Sequence, residues 1–271
     1  MADLYAVIGN PIAHSKSPRI HTEFARRLGE DIRYETIFAP RDGFAAAVAD
    51  FRAAGGKGLN VTVPFKLDAF ALATERTERA QQAGAVNTLK FDAKTVLGDN
   101  TDGAGLVTDL RDRLGFVIRG KRVLIMGAGG AARGVILPLI RQRPTSIAIA
   151  NRTVEKARSL ERQFASFGPV TGGGYDELHA KSFDLVVNAT SASLSDEVPP
   201  VPAGVLAPGA LAYDMVYGDK PTRFMMFARE NGAAQVSDGL GMLVAQAAES
   251  FYVWRGVLPD TAPVIEMLRT H

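Results

Sequence analysis

Short apolar runs alternate with stretches of helical periodicity along almost the whole chain, the pattern of an α/β protein with mainly parallel sheets. Tyr5–Gly9 reads as a buried strand that breaks at Asn10-Pro11. Ser17-Pro18 has the form of an N-cap and a first helical proline, opening a helix with Ile20, Phe24 and Leu28 on one side. Tyr34–Ala39 is the next strand, and a helix through Phe44, Val48 and Phe51 stops at Gly55-Gly56. In the strand that follows, alternation puts Asn60 and Thr62 on one face and Val61 and Val63 on the other, until Pro64 ends it. Lys66 then begins a helix that runs through Phe70.

Residues 84–103 read as a hairpin and a loop before a helix from about Leu106 to Leu114. Strand Lys121–Met126 leads into a glycine cluster and a helix, followed by strand Ser146–Ala150 and a helix from about Glu155 to Phe167. Strand Asp184–Ala189, a proline-rich loop, strand Ala210–Tyr217 and a helix near Arg223–Glu230 complete this part. The stretch Leu240–Arg269 is helical, with an apolar stripe at Leu243, Ala247 and Phe251 and a break at Gly256–Pro259.

Composition narrows the chemistry. At 271 residues the chain holds one large or two modest domains, and 46% hydrophobic with 22% charged residues is a globular balance. It contains no Cys, which removes disulfides, thiolate nucleophiles and Cys-ligated metals and fits a reducing cytoplasm. A formal net charge of +2 gives no broad field for nucleic acid. The four histidines, His14, His21, His179 and His271, show no metal-ligand spacing, so no metal is expected. No apolar run reaches membrane-spanning length, and the start lacks a basic segment leading into an apolar one, so neither a membrane span nor a signal peptide is expected.

The glycine cluster Gly127-Ala128-Gly129-Gly130-Ala131-Ala132 matches the dinucleotide fingerprint ending in Ala, and it lies between a strand and a helix as that motif requires. Gly127 permits the tight turn, Gly129 admits a pyrophosphate to the backbone, and Ala132 allows close packing of helix on strand. At the end of the next strand NAD sites carry a carboxylate for the ribose 2′-OH. Here Asn151-Arg152-Thr153 occupies that place, with Lys156 a turn later. A guanidinium fork suits a 2′-phosphate, which favours NADP; the alternative is that Arg152 and Lys156 are ordinary solvated charges.

The first hundred residues carry a different set. Ser15, Ser17, Asn60, Thr62, Asn87 and Asp102 are small hydrogen-bonding side chains at strand ends and loop edges, with Lys66 the cation among them. They suit a ligand rich in hydroxyls that bears one carboxylate. Ordinary roles are open to each, as caps, turn residues or strand formers. A lysine partnered by a carboxylate can hold and move a proton, which singles out Lys66 and Asp102.

Taken in order, GNPIAHSKSPRIH, GGKGLNVTVPFK, AGAVNTL, GDNTDG, GAGGAARG, NRT, NATS, YDMVY and DGLGMLVAQAAESFYVWRG resemble the shikimate dehydrogenase family from residue 9 to residue 256. The resemblance implies a reversible NADP-dependent reduction of 3-dehydroshikimate to shikimate. It implies two α/β domains with a cleft between them: a discontinuous substrate-binding domain over 1–101 and 238–271, and a Rossmann-type NADP-binding domain over 102–237. Ser15 and Ser17 would bind the substrate carboxylate. Asn60, Thr62, Asn87, Asp102 and Gln246 would meet its hydroxyls or the reacting group, with Tyr217 nearby. Lys66 and Asp102 would be the catalytic pair. Glu78, Gly127, Ala128, Gly129, Gly130, Ala131, Asn151, Arg152, Thr153, Lys156, Met215 and Gly239 would serve the cofactor. After NATS the family often has a Gly where this chain reads Ala192-Ser193, which leaves the form of that loop open.

The resemblance further implies a cytoplasmic monomer or homodimer with no nucleic-acid or membrane partner. A quinate or dual quinate/shikimate dehydrogenase is the nearest rival, and a non-catalytic dinucleotide-binding regulator is a more distant one.

Overall fold

The computed structural model describes residues 2–270, so His271 lies outside it. Among the described residues two compact units emerge, 2–105 with 244–270, and Leu106–Leu243.

The first unit begins with β1 (Asp3–Gly9), α1 (Ser17–Leu28), β2 (Ile32–Phe38), α2 (Phe44–Ala53), β3 (Gly56–Val61) and α3 (Lys66–Leu72). Then come β4 (Glu75–Arg76), α4 (Glu78–Ala83), β5 (Thr88–Phe91) and β6 (Val96–Asp99), with α5 (Asp102–Thr108) after them. Its sheet runs β2-β1-β3-β5-β6-β4. Strands β1, β2 and β3 are parallel, and the β5–β6 hairpin joins β3 antiparallel. Register sets Asn60 beside Thr88 and Thr88 beside Asp99, so the end of β3, the start of β5 and the end of β6 share one sheet edge.

In the second unit a π-helical turn (Asp109–Arg113) precedes β7 (Arg122–Met126), α6 (Gly130–Arg141), β8 (Ser146–Ala150), α7 (Val154–Phe164) and β9 (Val170–Gly173). These are followed by β10 (Phe183–Asn188), β11 (Leu206–Asp214), α8 (Arg223–Glu230) and β12 (Gln235–Ser237). The chain ends with α9 (Leu240–Arg255) and α10 (Ala262–Arg269). All strands of the second sheet are parallel in the order β12-β11-β10-β7-β8-β9, the doubly wound arrangement whose strand order reverses between β7 and β10. Near-continuous burial of β7, β10 and β11 fits a sheet covered on both faces.

Three sequence expectations need correction. Ser17 is the first residue of α1 rather than its N-cap: Lys16 takes the cap position, and the Ser15 hydroxyl accepts the Ser17 N–H at 3.3 Å. The helix expected from about Leu106 begins at Asp102 instead, led in by an Asx turn in which Asn100 Oδ1 accepts the Asp102 N–H at 3.2 Å. Asp102 is therefore a first-turn acid, favoured there by the helix dipole. The apolar stripe of α9 is broader than Leu243, Ala247 and Phe251, since Met242, Val244, Ala245, Ala248 and Trp254 are buried as well. Strands β4, β9 and β12 escaped the sequence pattern because they are two to four residues long, and β9 contains Gly172 and Gly173.

Trp254, the single tryptophan, fastens the later turns of α9 to the first sheet. Its Nε1 donates to the Leu89 carbonyl at 2.9 Å, and its ring stacks on Tyr5 at 4.7 Å. Gly58 of β3 leaves the room: a Cβ there would lie 2.4 Å from Trp254 Nε1 and 2.8 Å from the Leu89 oxygen. Gly58→Ala should destabilise this unit by about 1–3 kcal/mol, read as a lower urea midpoint of Trp254 fluorescence. An unchanged midpoint would show that the indole is not packed this way.

Candidate functional site

At the shared edge of the first sheet, polar side chains converge. Lys66 opens α3 and Asp102 opens α5; Lys66 Nζ donates to Asp102 Oδ2 at 2.5 Å, with the side chains only 18% and 8% exposed. Asn87, just before β5, donates from Nδ2 to Asp102 Oδ1 at 2.9 Å, to Thr101 Oγ1 at 2.8 Å and to Gln246 Oε1 at 3.1 Å. Its Oδ1 accepts the Thr101 N–H at 2.8 Å. The Asn87 amide thus fixes the carboxylate that holds the lysine.

Asn60, near the end of β3, is held at both ends of its amide. Tyr34 Oη donates to its Oδ1 at 2.7 Å, and its Nδ2 donates to Ser250 Oγ at 2.9 Å. Ser15 and Ser17 stand together at the start of α1, where Ser17 is buried. The Thr62 backbone N–H reaches the Ile8 carbonyl at 3.0 Å, extending the sheet by one bond, and Gly9 leaves space for the Thr62 methyl. Glu78 is the exposed first residue of α4, whose N-cap is Thr77. His21, beneath the edge, stacks on Tyr34 at 4.4 Å, and complete burial pushes its imidazole down to about 3, which keeps it neutral.

Sequence reasoning missed Thr88, Thr101, Tyr34 and Ser250. Ser250 did carry a signal, since it lies four residues after Gln246 and so on the same helix face.

The second unit places the glycine cluster at the strand-order reversal. Gly127 has φ of +104° and stands where a Cβ would meet the Ala189 carbonyl at 3.0 Å, so the loops after β7 and β10 touch. Gly129 is the N-cap of α6 and Gly130 its first residue. A Cβ on either would find nothing within 4 Å, which leaves open room at the helix N-terminus. Ala128 and Ala132 are buried and Ala131 half-buried as α6 packs down on the sheet. That room, with the helix dipole, fits a pyrophosphate.

Beside it, Asn151 Nδ2 donates to the Thr153 carbonyl at 2.9 Å, shaping the turn into α7. Arg152, Thr153 and Lys156 are exposed. The neighbouring carboxylates are engaged elsewhere, Glu155 with Arg162 and Glu177 with Arg158. Among the described residues these two ion pairs draw in neither Arg152 nor Lys156.

Met215 and Gly239 come together, because a Cβ on Gly239 would lie 2.2 Å from the Met215 carbonyl oxygen. Tyr217 follows two residues on, and burial pushes its phenol up. Under this turn sits Asp214, wholly buried. Its carboxylate accepts from Ser193 Oγ at 2.6 Å, Thr222 Oγ1 at 2.6 Å, the Val216 N–H at 3.0 Å and Asn188 Nδ2 at 3.2 Å. The Ala192-Ser193 departure thus forms a short 3-10 turn whose serine hydroxyl is recruited by Asp214.

Burial raises the Asp214 carboxyl above its ordinary value, with the hydroxyl and amide donors pulling the other way. The folded state then binds its proton more tightly than the unfolded state. Its ionisation costs stability, and that cost appears as pH rises from about 4 through the raised value and is complete above it. Asp214→Asn removes this titration, so the stability of wild type relative to the variant should fall with rising pH in urea titrations. A difference that stays flat would contradict the burial of a titrating carboxyl here.

No helix among the described residues is long and apolar enough to cross a membrane, and no group of three or more potential metal ligands occurs among them. Comparison with known proteins is consistent along the chain. The Shikimate dehydrogenase substrate binding domain matches residues 7–89, Shikimate / quinate 5-dehydrogenase matches 110–195, and the Shikimate 5'-dehydrogenase C-terminal domain matches 239–269. Shikimate dehydrogenase (NADP(+)) of Nitrosospira multiformis is 60% identical over 270 residues, covering 100% of this chain and 98% of that protein. Among solved structures, an Ael1 enzyme from Pseudomonas putida superposes with a TM-score of 0.93 at 50% identity, covering 98% of both chains. Shikimate 5-dehydrogenase from Thermus thermophilus, in complex with NADP(H) and shikimate, superposes with a TM-score of 0.87 at 31% identity, covering 99% of both. Sequence, sheet order and site residues converge, and this chain belongs to the shikimate dehydrogenase family.

Proposed function

We propose that this chain catalyses the reversible NADPH-dependent reduction of 3-dehydroshikimate to shikimate. The first unit binds the substrate and the second binds NADP. The observation that carries the reading is the Lys66–Asp102 contact at 2.5 Å, held by Asn87 at the sheet edge that also presents Asn60. The name of the Nitrosospira relative and the ligands of the Thermus structure support the choice of substrate and cofactor.

The residues divide by task. Ser15 and Ser17 hold the substrate carboxylate at the start of α1. Asn60, Thr62, Asn87, Asp102 and Gln246 meet its hydroxyls or the reacting group, with Tyr217 near the substrate. Gly127 to Ala131 receive the pyrophosphate, Asn151, Arg152, Thr153 and Lys156 receive the adenosine end with its 2′-phosphate, and Met215, Gly239 and Glu78 complete the cofactor contacts.

NADP, when bound, supplies or takes up the hydride. In the reducing direction charge develops on the C3 oxygen of 3-dehydroshikimate, and the Lys66 ammonium stabilises it and delivers the proton, forming the hydroxyl. In the oxidising direction the neutral Lys66 amine accepts that proton. Asp102 keeps Nζ in place and orients the hydroxyl that loses or gains it. An unpaired ammonium in this half-buried position would be costly, so the carboxylate also keeps the lysine at the site.

A cytoplasmic enzyme, monomer or homodimer, completes the reading, and a chain without Cys suits a reducing compartment.

Lys66→Ala should lower kcat by about 10²–10⁴ with a modest change in KM for shikimate, as steady-state assays would read. Activity near wild type would remove Lys66 from the reaction. Arg152→Ala should raise KM for NADP about tenfold or more while leaving the weaker use of NAD little changed. Equal losses with both cofactors would contradict a 2′-phosphate contact.

A further inference from the structure

We propose that Ser250 is a positioning residue that ties Asn60 to the Asn87–Asp102–Lys66 group and so sets substrate affinity without touching the substrate. The inference rests on the functional reading above and adds to it a residue that none of the site expectations contains.

Ser250 lies in the interior of α9 and is wholly buried. A serine in mid-helix usually spends its hydroxyl on the carbonyl four residues back, and Ser250 Oγ does donate to the Gln246 carbonyl at 3.0 Å. The same oxygen has further partners. It accepts from Asn60 Nδ2 at 2.9 Å, lies 2.7 Å from Thr88 Oγ1 and lies 3.2 Å from Thr101 Oγ1. Thr88 Oγ1 donates in turn to Asn87 Oδ1 at 3.0 Å. Each hydroxyl has one proton, so when Ser250 turns its own from the Gln246 carbonyl to Thr88 Oγ1, and Thr88 gives its proton to Asn87, a continuous chain of hydrogen bonds runs from Asn60 through Ser250 and Thr88 to Asn87, Asp102 and Lys66.

The direct contact between Asn60 and this group, Nδ2 to Thr88 Oγ1, is 3.4 Å and weak. Without Ser250 the buried Asn60 amide would keep Tyr34 at its oxygen but lose its good acceptor at the nitrogen. An asparagine amide offers two N–H groups. With one committed to Ser250 the rotation of the side chain is fixed, and the second has only the long contact to Thr88 to give up to a substrate oxygen. The Ser250 oxygen also joins α9, which carries Gln246, to the strands that carry Asn60 and Asn87. Loss of this one oxygen should loosen Asn60 and Gln246, whereas Asn87 keeps its own bonds to Thr101 and Asp102 and so holds the proton-transfer pair in place.

The test is Ser250→Ala, which removes one atom, with Ser250→Cys as a near-isosteric variant that keeps only a weak acceptor. Folding is checked by circular dichroism and Trp254 fluorescence, shikimate binding by calorimetry, and turnover by steady-state kinetics with shikimate and NADP. For Ser250→Ala we expect KM and Kd for shikimate to rise about five- to twentyfold, with kcat and KM for NADP within about twofold of wild type. Ser250→Cys should show a smaller rise in the same direction. In the Asn60→Ala background, adding Ser250→Ala should raise KM little further. A folded variant whose shikimate KM and Kd match wild type would overturn the proposal, as would multiplicative losses in the double variant. Should wild type itself neither bind nor turn over shikimate, the functional reading falls and this inference with it; wild-type turnover with insensitive variants overturns this inference alone.

Discussion

A lysine that is to move a proton must be held at one point, partly out of water, and that is stable only beside an opposite charge that is itself held. Here the requirement is met by Lys66 and Asp102, each in the first turn of a short helix at the same edge of one sheet. Asn87 satisfies the second oxygen of the carboxylate, so both oxygens of the buried acid have a partner. Every other group at this edge is arranged around that pair. The parallel strands deliver the end of β3, the antiparallel hairpin returns the start of β5 beside it, and β6 leads directly into Asp102.

In the proposed function the second unit solves a different problem, the binding of phosphates by backbone rather than by side chains. Its sheet reverses order between β7 and β10, and at that point the chain dispenses with Cβ atoms at Gly127, Gly129 and Gly130. The cations lie one strand over, at Arg152 and Lys156, with adjacent acids engaged by other arginines. Asp214 shows what rigidity costs in such a place. A carboxylate is buried against its preference so that three segments, the loop after β10, the turn after β11 and the start of α8, share one anchor.

Much of this was legible in the sequence, and the reasons are physical. The glycine cluster, the Asn151-Arg152-Thr153 turn and the Lys66 and Asp102 positions are local patterns, and local patterns survive in a string of letters. The start of α5 lies before Leu106 because its first turn, led in by Asn100, is made of Asp102, Gly103, Ala104 and Gly105, which carry no apolar periodicity. Ser17 has the form of a cap, although Ser15 supplies that hydroxyl. Thr88, Thr101 and Ser250 were hidden for another reason: their role arises from hydrogen bonds across about 150 residues of chain, which no short window contains. The spacing of Gln246 and Ser250 was the one local trace of it.

The central claim, that the polar edge of the first unit and the cation-bearing turn of the second serve shikimate and NADP respectively, is tested most directly by steady-state rates. Shikimate and quinate would each be measured with NADP and with NAD. The two serines at the start of α1, and Asn151-Arg152-Thr153 in place of a carboxylate at the end of β8, require shikimate with NADP to give the highest kcat/KM. Quinate with NAD outperforming shikimate with NADP would contradict the account.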